Sequence, residues 1–463
     1  MSFLIAVGVL CFLMFVAYRG YSVILFAPIA AMIAVLLTDP AAVPAMFTGL
    51  FLEKMAGFVK NFFPVFLLGA VFGKVIELSG FSQSIVSAVI NLVGRGRAML
   101  SIVLVCAILT YGGVSLFVVV FAVYPFAAEM FRQSDIPKRL IPGTIALGAF
   151  SFTMDSLPGT PQIQNLIPTK FFSTNAYAAP WLGVIGGLII FVCGLTYLEW
   201  RRRQAFRAGE GYGKGHSNEP EVVADQTLAN PMIAIVPLVV VGVMNIVFTQ
   251  LVPRSYGATY EVALSGLDHP LSIDIASVTA IWAVEGALLM GIATVLVFAF
   301  RRVATKFADG SKAAVAGALL ASLNTASEYG FGAVIAALPG FLVIRDALRA
   351  IPNPLINEAV TVTTLAGITG SASGGLSIAL GAMAKDFLAA ADAAHIPPEV
   401  LHRVAAMASG GMDTLPHNGA VITLLAVCGL THRQSYKDIF AVTVLKTLTV
   451  FAVIGIYYAT GIV

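Results

Sequence analysis

Long windows without a single Lys, Arg, Asp or Glu dominate this chain: residues 2–18, 20–38, 98–128, 171–198, 226–253 and 359–384 contain none. About 20 such residues in a helix cross the hydrocarbon core of a bilayer. The window 275–300 holds only Glu285, and the closing stretch 439–463 only Lys446. Shorter charge-free pieces occupy 61–73, 78–94, 140–154, 313–327, 329–344 and 414–432. No period-two alternation runs through them, which argues against a β-barrel. Only 11% of residues are charged, under half of the roughly 25% usual in soluble domains, so the chain cannot cover itself with polar groups in water. The expectation is an all-α polytopic membrane protein of about 10–12 crossings, some of them broken by Gly or Pro. A cytosolic enzyme, a secreted disulfide scaffold and a nucleic-acid binder are all excluded. A net charge of +3 is too small to argue for a polyanion partner. Cys11, Cys106, Cys193 and Cys428 stand singly in apolar stretches and read as small hydrophobes.

Basic residues orient the bundle. Arg201, Arg202, Arg203 and Arg207 follow one span, and Arg301, Arg302 and Lys306 follow another. Two spans, 231–252 and 276–300, separate the clusters, so both face the same side, which the excess of positive charge makes cytoplasmic. Arg19 adds a vote for that side. The start of the chain, Met1-Ser2-Phe3-Leu4, has no basic leader or small-residue cleavage site and reads as the beginning of a first spanning helix. It and Val463 would then lie outside. The hydrophilic stretch 201–229 reads as a cytoplasmic linker between units 1–200 and 230–463.

Those units share motifs. Met154-Asp155-Ser156-Leu157-Pro158 recurs as Met412-Asp413-Thr414-Leu415-Pro416, offset 258, and Gly112-Gly113-Val114-Ser115-Leu116 as Gly374-Gly375-Leu376-Ser377-Ile378, offset 262. Gly69-Ala70-Val71-Phe72 answers to Gly332-Ala333-Val334-Ile335, offset 263, and Ile136-Pro137 to Ile396-Pro397, offset 260. Four matches in one order within so narrow a band of offsets indicate duplication. The first unit begins outside and the second inside, so the duplicated halves are expected as an inverted-topology repeat, the plan of many secondary transporters.

The repeated motifs are polar and helix-breaking. Free backbone groups survive in a membrane only where they line protein or a water-filled cavity. The expected breaks are Tyr111–Ser115 and Ser151–Pro161 in the first half, with Thr369–Ser377 and Ser409–Gly419 in the second, joined by Asn324–Gly330. Half-helix N-termini carry partial positive charge and free N–H donors, suited to a carboxylate. Candidate substrate-binding residues are Gly112, Gly113, Ser115, Ser151, Ser156, Gly159, Thr160, Asn324, Thr325, Ser327, Ser371, Ser373, Gly374, Thr414 and Asn418. For each Gly or Ser, close helix packing is the competing role. No Arg or Lys lies within the breaks themselves. Intramembrane ionisable groups are costly and by default functional, so Asp155, Asp413, Glu328 and His417 are candidates for carrying a coupling proton, with half-helix capping or plain hydrogen bonding as alternatives. Glu285 reads as structural. Lys54, Lys60, Lys74 and Glu77 read as interfacial anchors or an amphipathic segment, and Lys385-Asp386 as an interfacial pair. No phosphate-binding Gly-rich loop, metalloprotease or nucleophile-elbow motif occurs; no cofactor, metal or enzymatic activity is expected.

Through Gly112–Pro125, Ser151–Pro161, Thr369–Ser377 and Ser409–Gly419, over nearly its whole length, the chain resembles the gluconate permease family of bacterial carriers in the wider ion-transporter superfamily. The resemblance implies a multi-pass inner-membrane permease importing gluconate or related hydroxy acids, generally with protons. Carriers of the wider superfamily bind substrate between hairpin tips and broken helices, and several are homodimers with an elevator-like moving domain. Family members tend to carry Pro-His-Pro in the first break, where this chain has Leu157-Pro158-Gly159-Thr160-Pro161, its motif histidine being His417. A shorter hydroxy acid such as 3-hydroxybutyrate, or another small carboxylate, is therefore at least as well supported as a sugar acid. Sodium-coupled di- or tricarboxylate symport and cation/proton antiport are the alternatives.

Overall fold

The computed structural model describes residues 2–19, 21–94, 97–114, 116–216, 219, 229–263, 266, 269–343, 351–416 and 418–463. The apolar windows become helices. Among the described residues, six are long and apolar enough to cross a membrane alone: Pro40–Leu78, Pro180–Arg207, Pro231–Tyr256, Ile275–Ala304, Ala372–Ala393 and His432–Thr460. In chain order the helices are α1 (Ser2–Tyr18), α2 (Val23–Thr38), α3 (Pro40–Leu78, with a π-turn at Met46–Phe51), α4 (Phe81–Val93), α5 (Ala98–Tyr111), α6 (Leu116–Gln133), α7 (Ile141–Ala149), α8 (Phe152–Asp155), α9 (Ile163–Phe172) and α10 (Pro180–Arg207). The second series is α11 (Pro231–Tyr256), α12 (Ile275–Ala304), α13 (Phe307–Ala337), α14 (Pro354–Thr369), α15 (Ala372–Ala393), α16 (Pro398–Ser409), α17 (Gly419–Cys428) and α18 (His432–Thr460). This is an all-α polytopic membrane protein.

Both series contain a helical hairpin (α5–α6 and α14–α15), two half-helices around an unwound break (α7 and α9, α16 and α17) and a long closing helix. The matched parts run in opposite directions. The turn before α7 meets the α17–α18 junction, where Ser435 Oγ donates to the Arg139 carbonyl at 2.6 Å, and Tyr124 Oη of α6 donates to that of Cys428 at 3.3 Å. At the other end α16 meets the exit of α9, where Thr174 Oγ1 lies 2.6 Å from His402 Nδ1 and Arg403 Nε donates to the Ala178 carbonyl at 3.1 Å. Helices α3 and α13 pair antiparallel, Gly310 against Leu78 and Lys74, Gly330 against Phe51.

Three features depart from expectation. The window 171–198 covers two elements, because α9 ends at Phe172 and α10 begins at Pro180. Between α11 and α12 the chain forms an antiparallel hairpin, β1 (Thr259–Val262) with β2 (Leu271–Asp274), in a segment too polar to stay in the helices. The hairpin tips align at Gly112 and Gly370, the C-caps of α5 and α14, whereas Gly374 and Gly375 lie in the first turn of α15. The tip offset is thus 258, matching the Asp155/Asp413 offset instead of 262.

The linker folds back on its own end of the bundle. Arg139 holds Glu210 at 2.7 Å, Lys138 holds Glu219 at 2.7 Å, and the Tyr212 N–H donates to Asp135 Oδ1 at 2.8 Å. Asp438, at the start of α18, binds Arg201 at 2.7 Å and Arg139 at 3.4 Å.

Candidate functional site

Each break begins where a helix runs out of favourable residues. In the second half, α16 stops at Gly410-Gly411 and α17 starts at Gly419 behind Asn418, a good N-cap because its side chain can accept from the helix. Asn418 Oδ1 accepts from the Val421 N–H at 2.8 Å, while Nδ2 donates to the carbonyls of Gly370 at 2.8 Å and Asp413 at 3.0 Å. One side chain therefore caps the half-helix, braces the break and holds the hairpin tip. In the first half, Gln162 Nε2 donates to the Thr110 carbonyl at 2.8 Å and Tyr111 Oη to that of Pro158 at 2.8 Å. Each tip is bound to the break of its own series.

The four segments meet around a cavity of about 1200 Å³. Gly113 and Ser371–Ser373 from the tips, Gln162–Gln164 and Asp413, Thr414 and Asn418 from the breaks, and Asn324, Thr325 and Glu328 from α13 line it. The cavity extends to Lys74 and Glu77 (paired at 2.8 Å), Tyr21 and Ser22, the end of the bundle at which Arg302 donates to the Ser79 carbonyl. Lys74 and Glu77 are thus an ion pair in the cavity wall.

Of the expected binding residues, Gly113, Asn324, Thr325, Ser371, Ser373, Thr414 and Asn418 line this cavity. The Thr325 and Ser373 hydroxyls are 3.0 Å apart. The remaining described ones are not in its lining, and their hydroxyls are bonded locally. Ser151 donates to the Leu147 carbonyl, Thr160 to that of Thr153 at 2.9 Å, and Ser156 to Asp155 Oδ1 at 2.7 Å. Ser327 faces Met55, Gly112 packs on Leu238 and Gly159 on Tyr177. Gly374 lies so close to Glu328 that a methyl group there would overlap its carboxylate. Ser115 and His417 are outside the described residues.

Among the proposed proton carriers, Glu328 and Asp413 line the cavity and Asp155 is buried beside it. Between the two aspartates lies a residue that sequence reasoning left unassigned. Lys446 Nζ is 3.1 Å from Asp413 Oδ1 and 3.8 Å from Asp155 Oδ2, and donates to the Phe150 carbonyl at 2.7 Å. Lys446 is 2% exposed, Asp155 1% and Asp413 4%. Absence of Arg and Lys from the breaks themselves therefore does not leave the site without a cation: one reaches in from α18. A second, Arg403, is fully buried and donates to the carbonyls of Ala178 at 2.8 Å and Asp155 at 3.3 Å and to Asn165 Oδ1 at 3.1 Å. Glu358, on α14, is fully buried, with no hydrogen-bond partner for either carboxylate oxygen among the described residues.

At the cavity wall α9 begins after Gln162 without a side-chain cap. Gln162, Ile163 and Gln164 at its start line a space bordered also by Thr325, Ser373 and Asn324, an arrangement able to take a carboxylate and its hydroxyl neighbours.

No family model matches the chain. It is 58% identical over 472 residues to an uncharacterized transporter of Bacillus subtilis (strain 168), YxjC, with all of both chains covered. The YdaH transporter of Alcanivorax borkumensis has a similar fold, with a TM-score of 0.52 at 14% identity over 92% of this chain and 90% of that one.

Proposed function

This chain belongs to the family of the Bacillus subtilis transporter YxjC, and on that premise we propose that it is a secondary active carrier importing a small organic acid anion together with a proton. The observation that carries the reading is the junction itself. Unwound segments from two oppositely directed series line one cavity, and Asp413 faces that cavity while bonded to the buried Lys446. We take residues 1–200 and 230–463 as the two repeats and 201–229 as the linker between them.

The substrate carboxylate would lie against the open N-terminus of α9, held by backbone N–H groups and the local dipole. Thr325, Ser373 and Asn324 would receive its hydroxyl. Recognition without a basic side chain at the anion keeps binding weak enough for release. That suits gluconate or, without a histidine in the first break, a shorter hydroxy acid such as 3-hydroxybutyrate. Asp413 would accept the proton, its charge offset by Lys446 in one state and cancelled by protonation in the other. With the basic clusters in the cytoplasm of a bacterium, the cavity opens inward. Exchange of conformation between the antiparallel repeats would open it outward.

Uptake of labelled 3-hydroxybutyrate and gluconate into proteoliposomes tests this. An inward pH gradient without sodium should drive accumulation of one of them. Accumulation driven by a sodium gradient alone would favour sodium symport, and proton flux without either acid would favour antiport.

A further inference from the structure

We propose that Lys446 is a tethered cation: its ammonium occupies, between oxygens of both repeats, the position a coupling metal ion would otherwise take, and so makes the carrier independent of sodium. This rests on the carrier reading above. Lys446 comes from α18, yet its head group lies at the meeting point of the two breaks. The Phe150 carbonyl and Asp155 Oδ2 come from the first break and Asp413 Oδ1 from the second. An ammonium has three donors and no acceptor; two of them go to the Phe150 carbonyl and Asp413 Oδ1, and Asp155 Oδ2 faces it at ion-pair distance. A bare cation binding there would want the same hard carbonyl and carboxylate oxygens.

Two further observations place the ammonium there by construction. Asp155 Oδ2 is buried with no hydrogen-bond partner among the described residues, so Lys446 is the cation it faces. At Gly410 a methyl group would collide with that oxygen and come within 2.9 Å of Lys446 Cε, so the missing side chain is what admits the lysine. Two other titratable groups among the described residues at the junction are engaged elsewhere. Arg403 is bonded to Ala178, Asn165 and the Asp155 backbone, and Tyr436 Oη donates to the Thr414 carbonyl at 3.1 Å. A tethered cation cannot dissociate and so draws nothing from a sodium gradient. The exchangeable charge left at the junction is the proton on its carboxylates.

Purified full-length protein, unfolded thermally in NaCl or in choline chloride at equal ionic strength, tests the assignment. A ligand that binds only the folded state raises Tm. Wild-type Tm should be the same in both salts. Lys446→Ala, which vacates the oxygen cage, should gain a sodium-specific rise in Tm that grows with sodium concentration; Lys446→Ser is the second variant if the first does not fold. A sodium-specific rise in the wild-type protein, or a folded variant indifferent to sodium, overturns the proposal. The wild-type arm decides even if neither variant folds, since a sodium response there overturns the proposal and its absence supports it. If no organic acid moves under any gradient, the carrier reading falls, whereas this comparison still judges Lys446.

Discussion

Replacing Asp413 by Asn removes one charge from the junction while keeping its shape. Lys446 Nζ then loses its ionic partner at 3.1 Å and keeps the Phe150 carbonyl at 2.7 Å and Asp155 at 3.8 Å. Neutralising one member of a buried ion pair typically costs about 3–5 kcal/mol; with a second carboxylate still facing the ammonium, the lower end, about 3 kcal/mol, applies here. The Asn418 bond survives, because it goes to the backbone carbonyl of residue 413. The variant should therefore fold with a lowered Tm. Its transport should divide into two parts. One pH unit supplies about 1.4 kcal/mol per proton, or roughly tenfold accumulation by one-proton symport. Wild-type proteoliposomes should approach that ratio with the transported acid, and Asp413→Asn should stop at equal concentrations inside and out. Counterflow of labelled against unlabelled acid, which needs no net proton movement, should continue. A folded variant that still accumulates near tenfold, or that loses counterflow along with accumulation, refutes the placement of the proton on Asp413.

Gly410→Ala should lower Tm by the equivalent of about 1–3 kcal/mol, the usual cost of overpacking, since the methyl overlaps Asp155 Oδ2; an unchanged Tm in detergent would show that the aspartate moves aside freely. Arg403→Met fills similar space but leaves buried acceptors on Ala178, Asp155 and Asn165 without their donor. A loss of about 2–4 kcal/mol is expected, and thermal unfolding at wild-type temperature would count against a bracing role. In the linker, the hydrogen bond from Arg139 holds the Glu210 carboxyl below its ordinary range. A carboxylate held low in the folded state stabilises the fold above its unfolded pKa and loses that contribution as pH falls through the folded value. The Tm difference between wild type and Glu210→Gln should thus be present at neutral pH and close on acidification; a gap independent of pH would contradict the clamp.

The repeated Met-Asp-Ser/Thr-Leu-Pro marked both breaks because a carboxylate and a proline in an apolar run cannot be ordinary lipid-facing helix. Of the residues it singles out, Asp413, Thr414 and Asn418 line the cavity and Asp155 is buried beside it. It could not tell which hydroxyls face the cavity, because an unwound segment has no fixed period. Ser151 and Thr160 instead satisfy carbonyls of their own break. From sequence, Lys446 reads only as the lone charge of a closing apolar stretch. The signal was present, since an ammonium far from either end of such a stretch needs a carboxylate partner. Which of several distant aspartates would meet it is a matter of tertiary packing. Glu358 borders a charge-free window by one residue, and the partners of Arg403 are mainly backbone carbonyls more than 200 residues earlier, which sequence does not bring together. The offset of 262 for the hairpin tips followed glycine identity, whereas the helix caps set it at 258.

Whether the two repeats build one binding site is measurable with two cysteines. In a background lacking Cys11, Cys106, Cys193 and Cys428, single cysteines at Gln162 and Ser373 place one thiol on each repeat's share of the cavity wall. Both should react with a membrane-permeant maleimide, and both should be shielded over the same concentration range of the transported acid. An acid that shields one cysteine and leaves the other reactive, or that shields neither, would separate the repeats into different sites.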